Sequence, residues 1–497
     1  MTFTVANAFA WWIRELPDQI ALEVDGDPVT YRELDVWTRR VAADLAERGA
    51  RPGDRIAIMA ANSMEFAALM IGAMRAGIIS APVNFRSKPR ELADFRTLIE
   101  PAIVFADSER VEAASDAFGE AIDLAQIAAL RDGDHVDLAY EIDSDDPLFV
   151  IGTSGSTGKP KSTIYSHRTV MTWAAEFALM EPGCGKGGSF LSLGPFSAAS
   201  GTLHLFELIA IGNTVFIETQ FDAARALRLL EQRRISTFIG VPLFFERIAA
   251  EPDFASADLS ALKFAQTAGA RISPDLLAAW RAKNVILRQA YGCTEAGGAW
   301  AARDDTAIDE PHKAGHGGIF SQFAISDGKG GFAAPETEGE ILVRSACVTP
   351  GYWNQPDATA ETIRNGWLHT GDLGKLDATG NLTFVDRLKD IIISGGLNVS
   401  AMEVEQTIGQ LPGVKEVAVI AFDDPRYGEA PLAIIYGGRN APSADGVIAH
   451  CSERLAGYKI PRYVTYSNAP LPRLVVGKIS KVDLRREYRE KALEPVR

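Results

Sequence analysis

Apolar residues along the first part of the chain follow two different spacings. After a helix capping box at Thr30 and Glu33, apolar side chains recur every three or four residues and predict an amphipathic helix. Short apolar runs at residues 55–59 and 78–82 lie on either side of a second helical pattern at residues 63–76. Buried strands that alternate with helices in this way are typical of an α/β layer structure with parallel strands.

The same alternation returns further along the chain. Helices are predicted at residues 223–232 and 276–282, and buried strands at residues 237–241 and 285–289. The α/β layers are therefore expected to extend through more than half of the chain.

The pattern changes from about residue 315. Short alternating runs such as residues 339–344 and 380–385 are separated by Gly, Asp and Pro, which predicts a small β subdomain. Apolar strands at residues 417–422 and 432–436 belong to a mixed α+β tail.

A domain boundary is expected near Lys389. Residues 1–388 would form a large N-terminal domain of α/β layers with a small β subdomain, and residues 389–497 a small mobile α+β C-terminal domain. A basic helix at residues 484–491 closes the chain and is interpreted as a solvated face rather than a binding surface.

The composition restricts the class of protein. Of the 497 residues, 47% are hydrophobic and 23% are charged, and the net charge of −15 argues against a nucleic-acid partner. We expect no signal peptide and no membrane span, because Arg75 interrupts the best apolar stretch. The four cysteines lack metal-ligand spacing, which predicts reduced thiols in a cytoplasmic protein.

The most informative motif follows the apolar run at residues 148–151. Its Gly, Ser and Thr residues lead to two lysines around Pro160. Such a loop can surround a polyphosphate with backbone N–H groups, hydroxyls and ammonium groups. It is not a Walker loop, because five residues rather than four separate Gly152 from Gly158 and a proline follows the lysine. A flexible linker is the alternative, which the strand before the loop disfavours.

Further motifs follow this loop along the chain. They are Tyr-Gly-Cys-Thr-Glu at 291–295, Thr-Gly-Asp at 370–372, Asp-Arg-Leu-Lys-Asp at 386–390 with Ser-Gly-Gly at 394–396, and Gly-Lys at 477–478. With these motifs in this order, the chain resembles the adenylate-forming superfamily, which includes acyl-CoA synthetases, firefly luciferase and peptide-synthetase adenylation domains. The resemblance covers nearly the whole chain and is greatest to stand-alone acyl-CoA synthetases.

The resemblance implies that a carboxylate attacks the α-phosphorus of ATP and expels pyrophosphate. Two anions meet in this step, so cations and hydrogen-bond donors must offset their repulsion. The loop would hold the β- and γ-phosphates through Thr153, Ser154, Gly155, Ser156, Thr157, Gly158 and Lys159.

Three further residues are assigned to the reaction by the resemblance. Glu295 looks like the Mg²⁺ ligand, Thr294 like a donor to the α-phosphate, and Lys478 like the lysine that bridges the carboxylate and the α-phosphate. Read alone, Glu295 would be a helix N-terminal carboxylate and Lys478 a solvated turn residue.

The nucleoside is assigned to other motifs. By resemblance, Tyr291 packs on the adenine, and the opposite wall is formed by Gly269, Ala270 and Arg271. Asp372 would accept both ribose hydroxyls, and Arg387 would donate to the same sugar. Without the resemblance, Tyr291 would be a core residue and the other two a turn and a surface pair.

Thioester formation requires a second arrangement of the C-terminal domain. The resemblance implies a hinge at Lys389, where a long charged side chain can stay solvated in both arrangements. Ser394, Gly395 and Gly396 would line the tunnel for the pantetheine of CoA, although the paired glycines could also form a hairpin turn.

The acid is the least defined substrate. The predicted acyl pocket is lined by Phe196, Ser197, Gly292, Gly297 and Gly298, and the small residues after Glu295 are expected to leave space for a bulky group. Ser197 stands where many acyl-CoA synthetases carry histidine and where peptide-synthetase domains carry aspartate. Because serine cannot hold an amino group through charge, amino-acid activation is disfavoured.

We therefore expect an ATP- and Mg²⁺-dependent acid–CoA ligase that works through an acyl-adenylate. Its acid would be apolar and sizeable: a fatty, aryl, arylalkanoic or steroid-derived acid. The alternatives are loading of a carrier protein, luciferase-like oxidation of the adenylate, and nucleotide binding without turnover. The expected partners are small molecules, with a homodimer left open.

Overall fold

The computed structural model describes residues 2–137, 140–154, 160–269, 271–473, 479–489 and 491–496. Its contacts divide the chain into two compact units, each formed by two segments. They are Met1–Phe323 with Leu342–Thr370, and Ala324–Ile341 with Gly371–Arg497. The boundary predicted at Lys389 is the pivot of a domain movement. This division by contacts does not test it, so it stays a prediction.

The strands of the described residues, in chain order, are β1 (Ile20–Val24), β2 (Asp27–Thr30), β3 (Arg55–Met59), β4 (Ile79–Pro82), β5 (Ile103–Ala106), β6 (Ile122–Asp123), β7 (Pro147–Ser154), β8 (Pro160–Ser166), β9 (Ser189–Ser192), β10 (Thr214–Ile217), β11 (Thr237–Gly240), β12 (Phe264–Ala268), β13 (Leu287–Cys293), β14 (Gly298–Ala301), β15 (Ser321–Ile325), β16 (Gly339–Ser345), β17 (Ile363–Arg364), β18 (Trp367–Leu376), β19 (Leu382–Arg387), β20 (Ile391–Ser394), β21 (Leu397–Ser400), β22 (Glu416–Asp424), β23 (Gly428–Tyr436) and β24 (Tyr463–Tyr466).

The α-helices of the same residues are α1 (Val5–Glu15), α2 (Tyr31–Glu47), α3 (Met64–Arg75), α4 (Pro89–Ile99), α5 (Val111–Phe118), α6 (Ala125–Ala128), α7 (His167–Met180), α8 (Ala199–Ala210), α9 (Ala223–Gln232), α10 (Pro242–Ala249), α11 (Pro274–Arg281), α12 (Asp304–Asp309), α13 (Pro356–Thr362), α14 (Ala401–Gly409), α15 (Ala444–Ser452) and α16 (Lys481–Tyr488).

Two largely parallel sheets form the framework of the first unit. One has the strand order β6-β5-β3-β4-β7-β8, in which β8 runs antiparallel to β7. The other has the order β14-β13-β12-β11-β9-β10-β1-β2 and is antiparallel only at its two ends. The predicted α/β layers with parallel strands are confirmed.

Local sequence signals explain several of the helices. The capping box of α2 is present, because the Thr30 hydroxyl accepts a hydrogen bond from the Glu33 N–H and the Glu33 carboxylate accepts one from the Thr30 N–H. The predicted helix at residues 223–232 coincides with α9. Its N-cap, Asp222, accepts a hydrogen bond from the Arg225 N–H.

Two of the element boundaries that differ from the prediction have a local explanation. β13 begins at Leu287 rather than Val285, because the Val285 N–H closes the end of α11 by donating to the Trp280 carbonyl. The last helix is α16 rather than residues 484–491, since Ser480 caps it. Its Leu484 and Tyr488 side chains are buried, so only part of this helix is a solvated face.

The second unit has its own mixed sheet. Its strand order is β21-β20-β23-β22, and β24 lies parallel beside β23. α14 and α16 pack against β22 within this unit, which confirms the α+β character of the tail. No helix in the described part of the chain has an apolar stretch long enough to cross a bilayer.

Acid stability is expected to depend on His167, the first residue of α7. The ring is buried, and its Nδ1 accepts a hydrogen bond from the Val5 N–H at 3.3 Å, which requires an unprotonated nitrogen. Burial lowers the pKa of His167 to about 4. The unfolded chain, with a histidine pKa of about 6.5, therefore binds more protons than the native state. The free energy of unfolding therefore decreases as the pH falls from about 6.5 toward about 4. At pH 5 the loss is about 2 kcal/mol for one such histidine.

The variant His167→Asn tests this expectation, because asparagine can still accept from the Val5 N–H and does not titrate. Urea unfolding at pH 7 and pH 5 should show that it loses about 2 kcal/mol less than the wild type. The control is His135→Asn at a half-exposed site, which should behave like the wild type. Equal acid sensitivity of His167→Asn and the wild type would contradict the assignment.

Candidate active site

The predicted phosphate loop connects two antiparallel strands. β7 and β8 pair with Thr153 opposite Lys161, so a strand follows the loop. A Walker loop instead opens a helix, so the strand after this loop excludes the Walker kind, and binding of phosphates by the loop stays a prediction. Seven predicted site residues lie outside the described residues: Gly155, Ser156, Thr157, Gly158, Lys159, Ala270 and Lys478.

Several predicted residues follow the carboxyl ends of two neighbouring parallel strands. Gly269 and Arg271 come after β12, while Thr294 and Glu295 form a short 3₁₀ turn directly after β13. In open parallel sheets this edge is where ligands commonly bind, because the connecting loops leave a crevice there.

Hydrogen bonds join this edge to the hairpin formed by β7 and β8, here called the phosphate-loop hairpin. Others join it to the segment between β16 and α13. The Tyr165 hydroxyl of β8 donates to the Thr294 carbonyl at 2.6 Å, and the Tyr352 hydroxyl donates to Glu295 Oε1 at 2.8 Å. The Thr349 N–H donates to the Glu295 carbonyl at 2.9 Å. Both the backbone and the carboxylate of Glu295 are thus held in place within the first unit.

The two tyrosines stay protonated donors. Burial, with the negative charge of Glu295 next, raises the pKa of Tyr165 and of Tyr352 above the ordinary range of tyrosine. The Lys161 ammonium lies 4.4 Å from the centroid of the Tyr352 ring, in the range of a cation–π contact. The sequence analysis missed Tyr352, because it lies far from Glu295 along the chain and carries no motif of its own.

Tyr291 has the surroundings of a core residue. It is 6% exposed, pairs with Trp300 across β13 and β14, and meets the Phe323 ring edge-to-face at 6.0 Å. Its proposed contact with adenine stays a prediction.

The glycines near Glu295 are explained by close packing. A Cβ at Gly297 would collide with the Cys347 carbonyl, and φ of Gly297 is +70°. A Cβ at Gly298 would lie 2.5 Å from the Trp173 ring, and one at Gly292 would meet the backbone of Gly298. Larger side chains would not fit at these positions. The place of the three glycines in an acyl pocket stays a prediction.

Phe196 and Ser197 lie in the segment between β9 and α8. The Phe196 ring is buried and meets the Phe66 ring at 5.2 Å, and its N–H donates to Asn62. The buried Ser197 Oγ has no hydrogen-bond partner among the residues that the structure describes. The Ser197 side chain therefore offers a hydroxyl and no charge to a ligand.

The second unit carries the predicted ribose residues. Asp372 and Arg387 lie opposite each other in the antiparallel pair β18–β19, with Arg387 Nε 3.6 Å from Asp372 Oδ1. The Asp372 side chain is 7% exposed and that of Arg387 is 49% exposed. The two residues that the resemblance assigns to the ribose are therefore direct neighbours. Their role in binding the ribose stays a prediction.

The Asp386 side chain connects residues on either side of Lys389 within the second unit. Asp386 Oδ2 accepts hydrogen bonds from the Ser400 hydroxyl at 2.8 Å and the Met402 N–H at 2.9 Å. Arg485 Nη2 pairs with Asp390 Oδ1 at 2.5 Å. Burial and the nearby guanidinium groups lower the pKa of Lys389. Rotation about Lys389 would break the contacts of Asp386.

Gly395 and Gly396 form a two-residue hairpin loop between β20 and β21. Ser394 pairs with Leu397, and φ is +59° at Gly395 and +80° at Gly396. Such a turn requires positive φ at both central positions, which glycine adopts without strain. The hairpin alternative is confirmed for the backbone, and the pantetheine tunnel stays a prediction.

The residues fit a magnesium ion that arrives with a nucleotide. Enzymes commonly hold such an ion through one or two carboxylates together with substrate phosphates. The described residues contain no cluster of three or more acidic, His or Cys ligands, and Glu295 presents one oriented carboxylate after β13.

Comparison with known families identifies the chain. Residues 9–353 match the AMP-binding enzymes, and residues 403–478 match the AMP-binding enzyme C-terminal domain. The chain belongs to the AMP-binding enzyme family. It is an adenylate-forming acid–CoA ligase that uses ATP, Mg²⁺ and coenzyme A.

Similar proteins of this family cover nearly the whole chain. The long-chain-fatty-acid–CoA ligase FadD13 of Mycobacterium tuberculosis is 34% identical over 93% of each chain. The feruloyl-CoA synthase of an Amycolatopsis species is 32% identical over 96% of this chain and 98% of its own. The o-succinylbenzoate CoA synthetase of Bacillus subtilis, solved with ATP and magnesium, has a TM-score of 0.89 and 26% identity over 96% and 99%.

Removing the Tyr352 hydroxyl is expected to weaken the use of magnesium by this AMP-binding enzyme. Tyr352→Phe keeps the ring near Lys161 but deletes the hydrogen bond to Glu295. A bond to a charged acceptor contributes about 1.5–3 kcal/mol, so kcat/KM should fall about tenfold or more at low Mg²⁺. The control Tyr31→Phe deletes a buried bond to the Asn213 carbonyl and should leave this dependence unchanged. A wild-type Mg²⁺ dependence in Tyr352→Phe would contradict the role of Tyr352.

Proposed function

We propose that this ligase activates a sizeable, largely apolar carboxylic acid, of the fatty, aryl, arylalkanoic or steroid-derived class. Ser197 supports this proposal, because an uncharged side chain cannot bind the ammonium group of an amino acid. The relatives named for long-chain fatty acids and for feruloyl-CoA support the same class.

The single observation that carries the chemistry is the contact between the phosphate-loop hairpin and the turn at Thr294 and Glu295. Tyr165 of the hairpin donates to Thr294, and Tyr352, whose ring lies against Lys161 of the hairpin, donates to Glu295. A triphosphate held by the loop would therefore have its α-phosphate near Thr294. Mg²⁺, when bound at Glu295, would offset charge on the phosphates. Thr294 would donate to the α-phosphate while the carboxylate attacks, and pyrophosphate would leave toward the loop.

In the second unit, Asp372 would accept the two ribose hydroxyls and Arg387 would donate to the sugar. Lys478 would offset the charge of the attacking carboxylate, and Lys389 would be the pivot between residues 1–388 and 389–497. The adenine would be enclosed by Tyr291, Gly269, Ala270 and Arg271. Ser394, Gly395 and Gly396 would line the path of pantetheine. We also propose that the protein is located in the cytoplasm and that its oligomeric state is a homodimer.

The experiment is a screen of pyrophosphate release with ATP, Mg²⁺ and a panel of acids. The panel contains fatty acids of graded length, aryl and arylalkanoic acids, a steroid-derived acid and free amino acids. Release is expected with apolar acids and none with amino acids. Preference for an amino acid, or for a short charged acid, would contradict the proposed substrate class.

A further inference from the structure

The helix after Ser197 carries a polar stripe on an otherwise apolar surface. Ser200, His204 and Glu207 of α8 are spaced at i, i+4 and i+7, so they share one face. Along this stripe the residues pass from exposed at Ser200 to 1% exposed at Glu207. Carboxylates are rarely buried to this extent unless they are paired.

The Glu207 carboxyl has an unused hydrogen-bonding atom. Its Oε2 has no hydrogen-bond partner within the described parts of the chain. Its Oε1 lies 3.9 Å from His204 Nε2, and the Trp173 indole lies beside the carboxyl. Burial raises the pKa of Glu207 to about 8 and lowers that of His204 to about 4. Both groups are therefore neutral at pH 7, and the carboxylic acid can donate as well as accept.

This carboxyl lies next to the predicted acyl pocket. The same Trp173 ring that contacts Glu207 lies where a Cβ of Gly298 would project, so one side chain separates the two residues. Glu207 also lies within electrostatic range of Tyr165, whose hydroxyl contacts the Thr294 carbonyl. Glu207 is eight residues beyond the first residue of α8, about 12 Å along the helix axis.

We propose that Glu207 is a specificity-determining residue that hydrogen-bonds an uncharged hydroxyl or ketone at the end of the acid remote from its carboxylate. This inference rests on the proposed function, because it assigns the remote end of the same acid. A site with a buried polar group rejects a ligand that lacks the matching group, since the protein group then stays unpaired.

The test compares matched acids that differ only in the remote hydroxyl: para-hydroxycinnamate with cinnamate, and ω-hydroxydecanoate with decanoate. The ratio of kcat/KM for pyrophosphate release is measured in the wild type, Glu207→Gln and Glu207→Met. Gln keeps a neutral donor and acceptor, while Met keeps the length of the side chain and removes both.

In at least one pair the wild type should prefer the hydroxylated acid by about tenfold or more. Glu207→Gln should keep most of this preference, and Glu207→Met should abolish or reverse it while still activating the apolar acid. Activity without a preference in the wild type, or an unchanged ratio in Glu207→Met, would overturn the inference and leave the proposed function intact. If Glu207→Met does not fold, Glu207→Gln is decisive. A folded Glu207→Gln that loses the preference for the hydroxylated acid overturns the inference, and one that keeps this preference supports the inference. Failure of the wild type with every acid contradicts the proposed function instead.

Discussion

Lys478→Ala is expected to reduce the rate of acyl-adenylate formation by about 10²–10³-fold, the usual effect of removing one group that stabilises transition-state charge. The lysine would bridge the carboxylate and the α-phosphate, two anions that repel each other as they meet. Thioester formation from a supplied acyl-adenylate should change by only a few fold, because that step no longer needs the bridge. Separate assays of pyrophosphate release and of acyl-CoA formation measure the two half-reactions.

Lys481→Ala is the matched control. Its Nζ pairs with Glu405 Oε1 at 2.8 Å at the start of α16, so its removal should affect packing of the second unit and spare both half-reactions. If Lys478→Ala lowered both half-reactions equally, the division of labour between the two steps would be wrong.

Lys389→Pro is expected to have the opposite effect, with adenylation retained and thioester formation reduced about 100-fold or more, since small errors of positioning cost this much. Proline fixes φ near −65°, within the range of the 3₁₀ turn at Leu388–Asp390. The local turn at residue 389 tolerates this φ, while rotation of the chain there is restricted.

Lys389→Ala separates the side chain from the backbone in this test. It leaves φ free, so most of the thioester activity should persist. A second control, Asp386→Ala, removes the acceptor of the Ser400 and Met402 hydrogen bonds and should not slow the thioester step. Comparable losses in both half-reactions for Lys389→Pro would count against Lys389 as the pivot.

Local signals in the sequence were sufficient for much of the fold. The capping box at Thr30 and the cap at Asp222 mark the starts of α2 and α9, because each cap bonds to backbone within three residues. The start of β13 was misplaced by two residues, since Val285 is used to close the preceding helix. That hydrogen bond has no signature in an apolar run.

The site was predictable where neighbouring residues act together, as in the turn that contains Thr294 and Glu295. It was not predictable where contacts join distant segments. Tyr352 donates to Glu295 across 57 positions of sequence separation. The close approach of the Cys347 carbonyl to Gly297, and of the Trp173 ring to Gly298, likewise joins distant segments and has no motif.

This protein joins an acid to CoA through an acyl-adenylate. The most direct measurement is a single turnover with ATP labelled at the α-phosphate, Mg²⁺ and an activated acid, first without CoA and then with CoA added. We predict labelled acyl-AMP in the first stage, followed by its conversion to free AMP and acyl-CoA in equal amounts. Formation of acyl-CoA with release of ADP, or an acyl-AMP that persists after CoA is added, would contradict the account.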